Sequence, residues 1–243
     1  MPKKYIIKII IALALIIAAG GFWYVKYYKN TGNNDQNKIA FITGFVLLDD
    51  EAGLVNSESV ELAPAVREQF EKKAEEARAD LITAEDKEAR LAGYNNLGLY
   101  QKYLGNYRQS YDAYLESLAL ENQARVTWQN FADVLLKMKA YKSAEMAYKK
   151  AVEINKYIPE SYVKLAGYYQ TIGDDAQAEA TYKSALDTIK ESTESDALVL
   201  NGYANWLIAK NRVDEAIEIL EELIIKQPGN KEAIERRIEE LKK

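Results

Sequence analysis

The chain contains no cysteine and no histidine. Their absence removes Ser-His-Asp and Cys-His catalytic arrangements, imidazole- and thiolate-ligated metal sites, disulfides and dithiol redox motifs. Most familiar active sites cannot be built from what remains. Also missing are a phosphate-cradling glycine loop, a calcium loop and a dinucleotide fingerprint, so the expectation is no cofactor, no metal and no enzymatic activity. Positive charge is scarce beyond the first segment. Residues 1–30 hold five lysines and no acid, residues 31–90 hold 7 basic and 14 acidic residues, and residues 91–243 hold 20 and 23. A mildly acidic body has no concentrated field to attract a phosphate backbone, which argues against nucleic-acid binding.

What is present is ordinary globular composition, 48% hydrophobic and 28% charged, over 243 residues. That is enough for one sizeable domain plus an anchor, and it argues against wholesale disorder. Residues 5–25 form an apolar run in which only Lys8 is charged. As a helix rising ~1.5 Å per residue the run is roughly 30 Å long, the thickness of a bilayer's hydrocarbon core. Phe22, Trp23 and Tyr24, followed by Lys26, Tyr27, Tyr28 and Lys29, form an interfacial aromatic belt with a basic edge. A cleaved signal peptide is the alternative, with Ala18-Ala19-Gly20-Gly21 as its small-residue site, but the apolar run continues through Val25. The amino group, Lys3, Lys4 and Lys8 oppose Lys26, Lys29 and Lys38, a narrow lean toward a cytoplasmic N-terminus. The expectation is a single-pass protein of a bacterial cytoplasmic membrane, with residues 5–25 in the lipid bilayer and the body outside the cytoplasm.

Residues 30–37 are polar and read as a flexible linker. Residues 39–48 are apolar but too few for a second span, which leaves a strand, an interfacial segment or a buried arm. From Pro64, Val66, Phe70, Ala74, Ala77 and Leu81 recur at spacings of three and four, predicting a helix with one apolar stripe. Thr83 and Asp86 then have the spacing of a capping box that opens the next helix.

Laid against itself, the chain repeats. Tyr94, Leu97, Gly98, Gly105, Tyr107, Ser110, Tyr114, Ser117 and Leu118 are followed 34 residues later by Trp128, Phe131, Ala132, Lys139, Tyr141, Ala144, Tyr148, Ala151 and Val152. A third copy has Tyr162, Leu165, Ala166, Gly173, Asp175, Ala178, Tyr182, Ala185 and Leu186. A fourth follows after about four inserted residues near Ser192–Ser195, with Leu200, Tyr203, Ala204, Asn211, Val213, Ala216, Leu220, Leu223 and Pro228. Within a copy, small residues let two helices approach while aromatics fill the gap beside them. Gly105, Lys139, Gly173 and Asn211 fall in the inter-helix turn, where a left-handed residue is favoured. Lys139 is the odd member.

This pattern resembles the tetratricopeptide repeat, a 34-residue helix-turn-helix unit. It departs from that family in carrying Gln101, Leu135 and Leu207 at a usually aromatic position. The resemblance implies an all-α solenoid of about four repeats with a C-terminal capping helix, preceded here by one N-terminal transmembrane helix. The resulting division is 1–29 anchor, 30–63 linker and juxtamembrane segment, 64–90 flanking helix, repeats at 91–124, 125–158, 159–192 and 197–230, and capping helix 231–243. In that last helix Ala233, Ile234, Ile238 and Leu241 share one side and nine charges lie elsewhere, the form of a terminal cap.

The resemblance also implies a concave groove lined by the first helix of each repeat, and hence a protein or peptide partner. On the groove stripe stand Asn95, Leu99, Lys102 and Tyr103 in the first copy, and Gln129, Asn130, Asp133 and Lys137 in the second. Lys164 and Gln170 follow in the third, and Asn201 and Asn205 in the fourth. Asn96, Leu136, Val163, Gly167 and Ile208 share that stripe. Of the five positions with which relatives clamp a chaperone tail, only Asn130 and Lys164 match; Asn95, Leu99 and Glu160 stand at the others. Ser161-Tyr162-Val163-Lys164 also fits the Ser-x-x-Lys pattern of penicillin-recognising enzymes, but the companion motifs are missing and the pattern lies in a repeat helix. The expected function is a membrane-anchored scaffold or adaptor in envelope complex assembly. A cytoplasm-facing adaptor or co-chaperone is the alternative, and homo-oligomerisation is left open.

Overall fold

A computed structural model of the chain describes residues 54–190 and 196–243. The expected anchor at 5–25, the linker at 30–37, the apolar run 39–48 and the insertion near Ser192–Ser195 lie outside the described residues. The described residues form ten α-helices, one short 3-10 turn at Pro228–Asn230 and no strand. None of these helices is long and apolar enough to cross a membrane. All belong to a unit that spans Leu47–Lys243.

Helix α1 is Pro64–Thr83, with Pro64 at its first position, where the missing N–H has no partner to lose. Ala74 and Ala77 are buried and Phe70 and Leu81 half-buried, whereas Val66 at the exposed first turn is 38% accessible. The expected stripe therefore holds from Phe70 onward. Phe70 stacks on Tyr103 with ring centroids 5.0 Å apart. The capping expectation needs correction. Thr83 ends α1, and its hydroxyl donates back to Asp80 O at 3.2 Å, which takes it out of any role in the next helix. The cap of α2 (Lys87–Tyr103) is Asp86, whose carboxylate accepts from Ala89 N at 2.7 Å.

The pairs α2 and α3 (Tyr107–Leu120), α4 (Arg125–Lys137) and α5 (Tyr141–Ile154), α6 (Pro159–Ile172) and α7 (Asp175–Ile189), and α8 (Ala197–Ala209) and α9 (Val213–Lys226) are the four repeat units. Each turn is built the same way. Gly105, Lys139, Gly173 and Asn211 all have positive φ, between 58° and 80°. The following N–H reaches back to the carbonyl of Gln101, Leu135, Tyr169 or Leu207 at 2.9 Å. This is the Schellman closure of a helix C-terminus, and it satisfies carbonyls that would otherwise be orphaned. Lys139 adopts it despite its Cβ, so the fold and not the residue dictates the conformation there.

Close helix approach explains the small residues. A Cβ on Gly98 would meet the Tyr114 ring at 2.8 Å, and the Ser110 hydroxyl donates to Gly98 O at 2.6 Å. Ala132, Ala166 and Ala204 occupy the same place in later copies and are fully buried. Asp174 caps α7 by accepting from Gln177 N at 3.0 Å. Helix α10 (Lys231–Leu241) starts 34 residues after α8 and lays Ile234 and Ile238 on Leu200, Ala204, Leu220 and Leu223, with Leu241 half-buried and Ala233 exposed. Its position is that of the first helix of a further repeat.

An extended arm precedes α1 and bonds to the turn edge of the first two repeats. Glu58 N donates to Gly105 O at 2.9 Å, Val55 N to Met138 O at 3.0 Å, and Arg108 N to Asn56 O at 2.8 Å. The Tyr107 hydroxyl donates to the Glu58 carboxylate at 2.6 Å. Burial first, then Glu58, pushes the Tyr107 phenol up to about 12.

Candidate functional site

The first helices of successive units, α2, α4, α6 and α8, pack one against the next, and the stripe expected to line a groove runs along them. At its centre, positions 102, 133 and 164 form a diagonal with a constant step of 31 residues, each contributed by the next repeat. Lys164 Nζ lies 2.8 Å and Lys102 Nζ 3.4 Å from Asp133 Oδ2. The Tyr148 hydroxyl, reaching through from the second helix of its repeat, donates to Asp133 Oδ1 at 2.6 Å. Burial, and then the Asp133 charge, raises the Tyr148 phenol far above its ordinary range, so it is a donor at any physiological pH. The Lys102 side chain is 13% exposed, and burial pulls its ammonium below the usual lysine value. Asp133 opposes that shift, whereas the charges of Lys164 and Lys137 add to it.

Other stripe residues are engaged inside the solenoid. The Asn95 amide donates to Leu91 O at 2.9 Å and its carbonyl accepts from Thr127 at 2.9 Å. One repeat later Gln129, only 7% exposed, donates to Ser161 at 3.2 Å and accepts from Arg125 at 2.9 Å. The two contacts are one inter-repeat rung repeated: an amide meets a hydroxyl 32 residues on. Gln170 donates to the Tyr182 hydroxyl at 2.8 Å. Asn201 and Asn205 accept from Arg237 of α10 at 3.3 and 2.5 Å. Leu99 and Asn130 are half-buried and Lys137 is exposed. Tyr103 remains 43% exposed beside its Phe70 partner.

Beside the lysine–aspartate diagonal the groove holds a hollow of about 320 Å³. Leu136, Val163, Gly167, Tyr168 and Leu198 supply apolar walls, and Asp133, Tyr148, Glu160, Lys164 and Thr171 complete them. Sequence reasoning missed Tyr148, Tyr168, Thr171 and Leu198. Tyr148 occupies a core position of the repeat, and only its terminal oxygen enters the groove chemistry.

Residues 127–157 and 159–191 match the Tetratricopeptide repeat family. These two units are tetratricopeptide repeats. The units on either side of them share the turn geometry and continue the same stacking of helix pairs in both directions. Solved structures agree on the fold. A thermophilic tetratricopeptide protein of Thermus thermophilus is 15% identical with a TM-score of 0.51, over 73% of this chain and 92% of that one. MamA is 15% identical with a TM-score of 0.51, over 70% and 98%. BtubC from P. vanneervenii is 17% identical with a TM-score of 0.51, over 70% and 75%. No curated protein sequence is similar enough to this chain to count as a relative. Tetratricopeptide solenoids generally act as non-catalytic scaffolds that bind proteins or peptides.

Proposed function

We propose that the protein is a membrane-anchored tetratricopeptide scaffold that captures a protein or peptide segment in its concave groove and serves assembly of an envelope complex. The observation that carries this reading is the hollow along the first helices, bordered by the Asp133–Lys164 ion pair. Apolar walls beside a few placed polar groups are the usual make-up of a binding cleft, and an elongated groove suits a segment that needs partners along its length. The apolar run at residues 5–25 supports the anchor, and the lysine distribution around it supports a body outside the cytoplasm.

Two experiments test the reading. A photo-crosslinking residue at Lys137 in the groove and another at Met146, which is exposed on α5, compare the two helix layers in cells. A partner trapped from position 137 and not from 146, and lost on joint replacement of Asp133 and Lys164 by alanine with helicity unchanged, supports capture in the groove. Equal trapping at both positions refutes it. For topology, Lys242→Cys gives the chain its only thiol. Labelling of intact cells by a membrane-impermeant maleimide places the repeats outside; labelling only after lysis overturns the envelope assignment in favour of a cytoplasmic adaptor.

A further inference from the structure

The arm shows how an extended chain can pair with the turn edge of this solenoid. Glu58 N donates to Gly105 O and Arg108 N donates to Asn56 O, so one turn offers the arm one acceptor and one donor. Val55 N takes Met138 O at the next turn. The step from Val55 to Glu58, at ~3.3 Å per extended residue, is about 10 Å, the separation of packed helices. An extended chain therefore meets successive turns in step. Where the arm lies, Leu104 and Tyr107 are 7% and 2% exposed, and a Cβ at Gly105 would strike Glu58 O.

Two repeats on, the turn has the same parts and no described residue lies over them. Ile172 holds the place of Leu104 and is 39% exposed. Met138 at this place in the second turn is buried and the fourth turn has Lys210, so Ile172 is the one exposed apolar member of the row. Gly173 shares the left-handed conformation of Gly105, and a Cβ there meets nothing within 4 Å. Gly173 O and Ala176 N, the counterparts of Gly105 O and Arg108 N, have no hydrogen-bond partner among the described residues.

Charge separates the two turns. In place of Tyr107, whose hydroxyl meets Glu58, the third turn has Asp175, with Asp174 beside it. Lys210 pairs with Asp175 at 2.6 Å, and Asp174 caps α7 by accepting from Gln177 N, so one ammonium stands against two carboxylates. An acid in the place of Glu58 would be repelled here, and a Lys or Arg attracted. Asp49, Asp50 and Glu51, which precede the arm in the chain, have the sign this turn disfavours.

We infer that the turn edge at Ile172–Asp175 is a second docking surface, separate from the groove, for an extended segment of another protein that sets a Lys or Arg against Asp175 and an apolar residue on Ile172. Its backbone pairs with Gly173 O and Ala176 N as the arm pairs with Gly105 O and Arg108 N. Main-chain bonds supply attachment, as when a strand adds to a sheet edge, and the two aspartates supply selection. Nothing in this inference depends on the groove.

Because the chain has no cysteine, Thr171→Cys, at an exposed position, gives the full chain in nanodiscs a single thiol beside this turn. Lys242→Cys on the terminal helix is the control. Two peptide probes, the arm sequence Leu54–Val60 and its Glu58→Lys form, each ending in cysteine, are equilibrated with either variant under β-mercaptoethanol. Intact mass reads the tethered fraction. In Thr171→Cys the lysine probe should be retained about threefold over the glutamate probe, the scale of an exposed charge pair, with no preference in Lys242→Cys. Adding Asp175→Asn should remove the preference, adding Asp175→Lys should reverse it, and adding Ile172→Ser should lower retention of both probes. Hydrogen exchange at the Ala176 amide should slow when the lysine probe is tethered. Equal retention at the turn, the same preference in Lys242→Cys, or an unprotected Ala176 amide would overturn the inference. A preference for the glutamate probe would overturn it as well, and would favour the chain's own acidic stretch as the occupant.

Discussion

Two turns with the same backbone conformation and different surroundings allow the extended arm to be weighed. Gly105 and Gly173 have φ of 80° and 77°, and alanine in this left-handed region costs about 1 kcal/mol. A Cβ at Gly173 meets nothing within 4 Å, so Gly173→Ala should lose that amount and little more. At Gly105 the Cβ would lie 2.1 Å from Glu58 O, which is backbone and cannot swing aside. Gly105→Ala must therefore also displace the arm. The bonds then broken are Glu58 N to Gly105 O, Arg108 N to Asn56 O, and the Tyr107 hydroxyl to Glu58. At about 1 kcal/mol net for each intramolecular hydrogen bond, less for the exposed ones, the added loss is about 2 kcal/mol. Urea unfolding followed by far-UV circular dichroism should place Gly105→Ala about 2 kcal/mol below Gly173→Ala, and hydrogen exchange at the Glu58 amide should accelerate only in the former. Equal losses, with Glu58 equally protected, would show that the arm does not rest on this turn and refute the reasoning.

Lys139→Gly should raise stability by about 0.5–1 kcal/mol, because the left-handed strain on Lys139 (φ 63°) exceeds the extra chain entropy glycine loses on folding; a calorimetric melt reads the change. Asp133→Ala should destabilise by about 2–3 kcal/mol, since it removes the carboxylate shared by Lys102, Lys164 and Tyr148. Asp133→Asn, which still accepts from Tyr148, should lose less in the same urea titration. Glu179 accepts both guanidinium nitrogens of Arg212 at 2.7 and 3.0 Å, and these bonds, with the Lys183 pair, hold its carboxyl down to about 2. A depressed carboxyl stabilises the fold above the unfolded value of about 4.3 and loses that contribution as pH falls through about 2. The stability gap between the native chain and Glu179→Gln should therefore be full at pH 7, shrink below about pH 4, and nearly close by pH 2 in urea titrations across that range.

Much of the body is legible in the amino-acid sequence because its restraints are local and recur. A left-handed helix end calls for Gly or Asn, which marks Gly105, Gly173 and Asn211 directly. Lys139 carries no such mark, and only its distance of 34 residues from its neighbours places it in a turn. Small residues at 98, 132, 166 and 204 announce helix contacts for the same reason of repetition. The stripe that the core leaves over is likewise readable. Which of its side chains remain available is not, because that depends on pairs from different repeats. Asn95 and Gln129 look like ligand amides until Thr127 and Ser161 are found opposite them, and Asn201 and Asn205 until Arg237 of α10 is found above them. The arm at 54–63 leaves no trace at all. Its contacts run chiefly through backbone groups, and the Glu58–Tyr107 bond joins residues 49 apart, so neither periodicity nor composition signals it.

The arm and the groove divide the solenoid between two kinds of recognition. The arm is held at the turns by Gly105 O, Met138 O and Arg108 N, groups every sequence possesses, so its docking depends on turn conformation and tolerates change at Asn56, Ser57 and Ser59, whose side chains are exposed. The hollow beside Gly167 is lined by particular side chains, Asp133 and Lys164 among them, so what it can accept depends on residue identity. The two sets share no residue. Changes at Lys137 or Gly167 should therefore redirect partner choice while Glu58 stays protected from exchange, and changes at Gly105 should free the arm while peptide affinity in the groove is kept. A groove that loses affinity when the arm is released would mean that the turn edge transmits its state to the first helices, and the independence argued from the hydrogen bonds would fail.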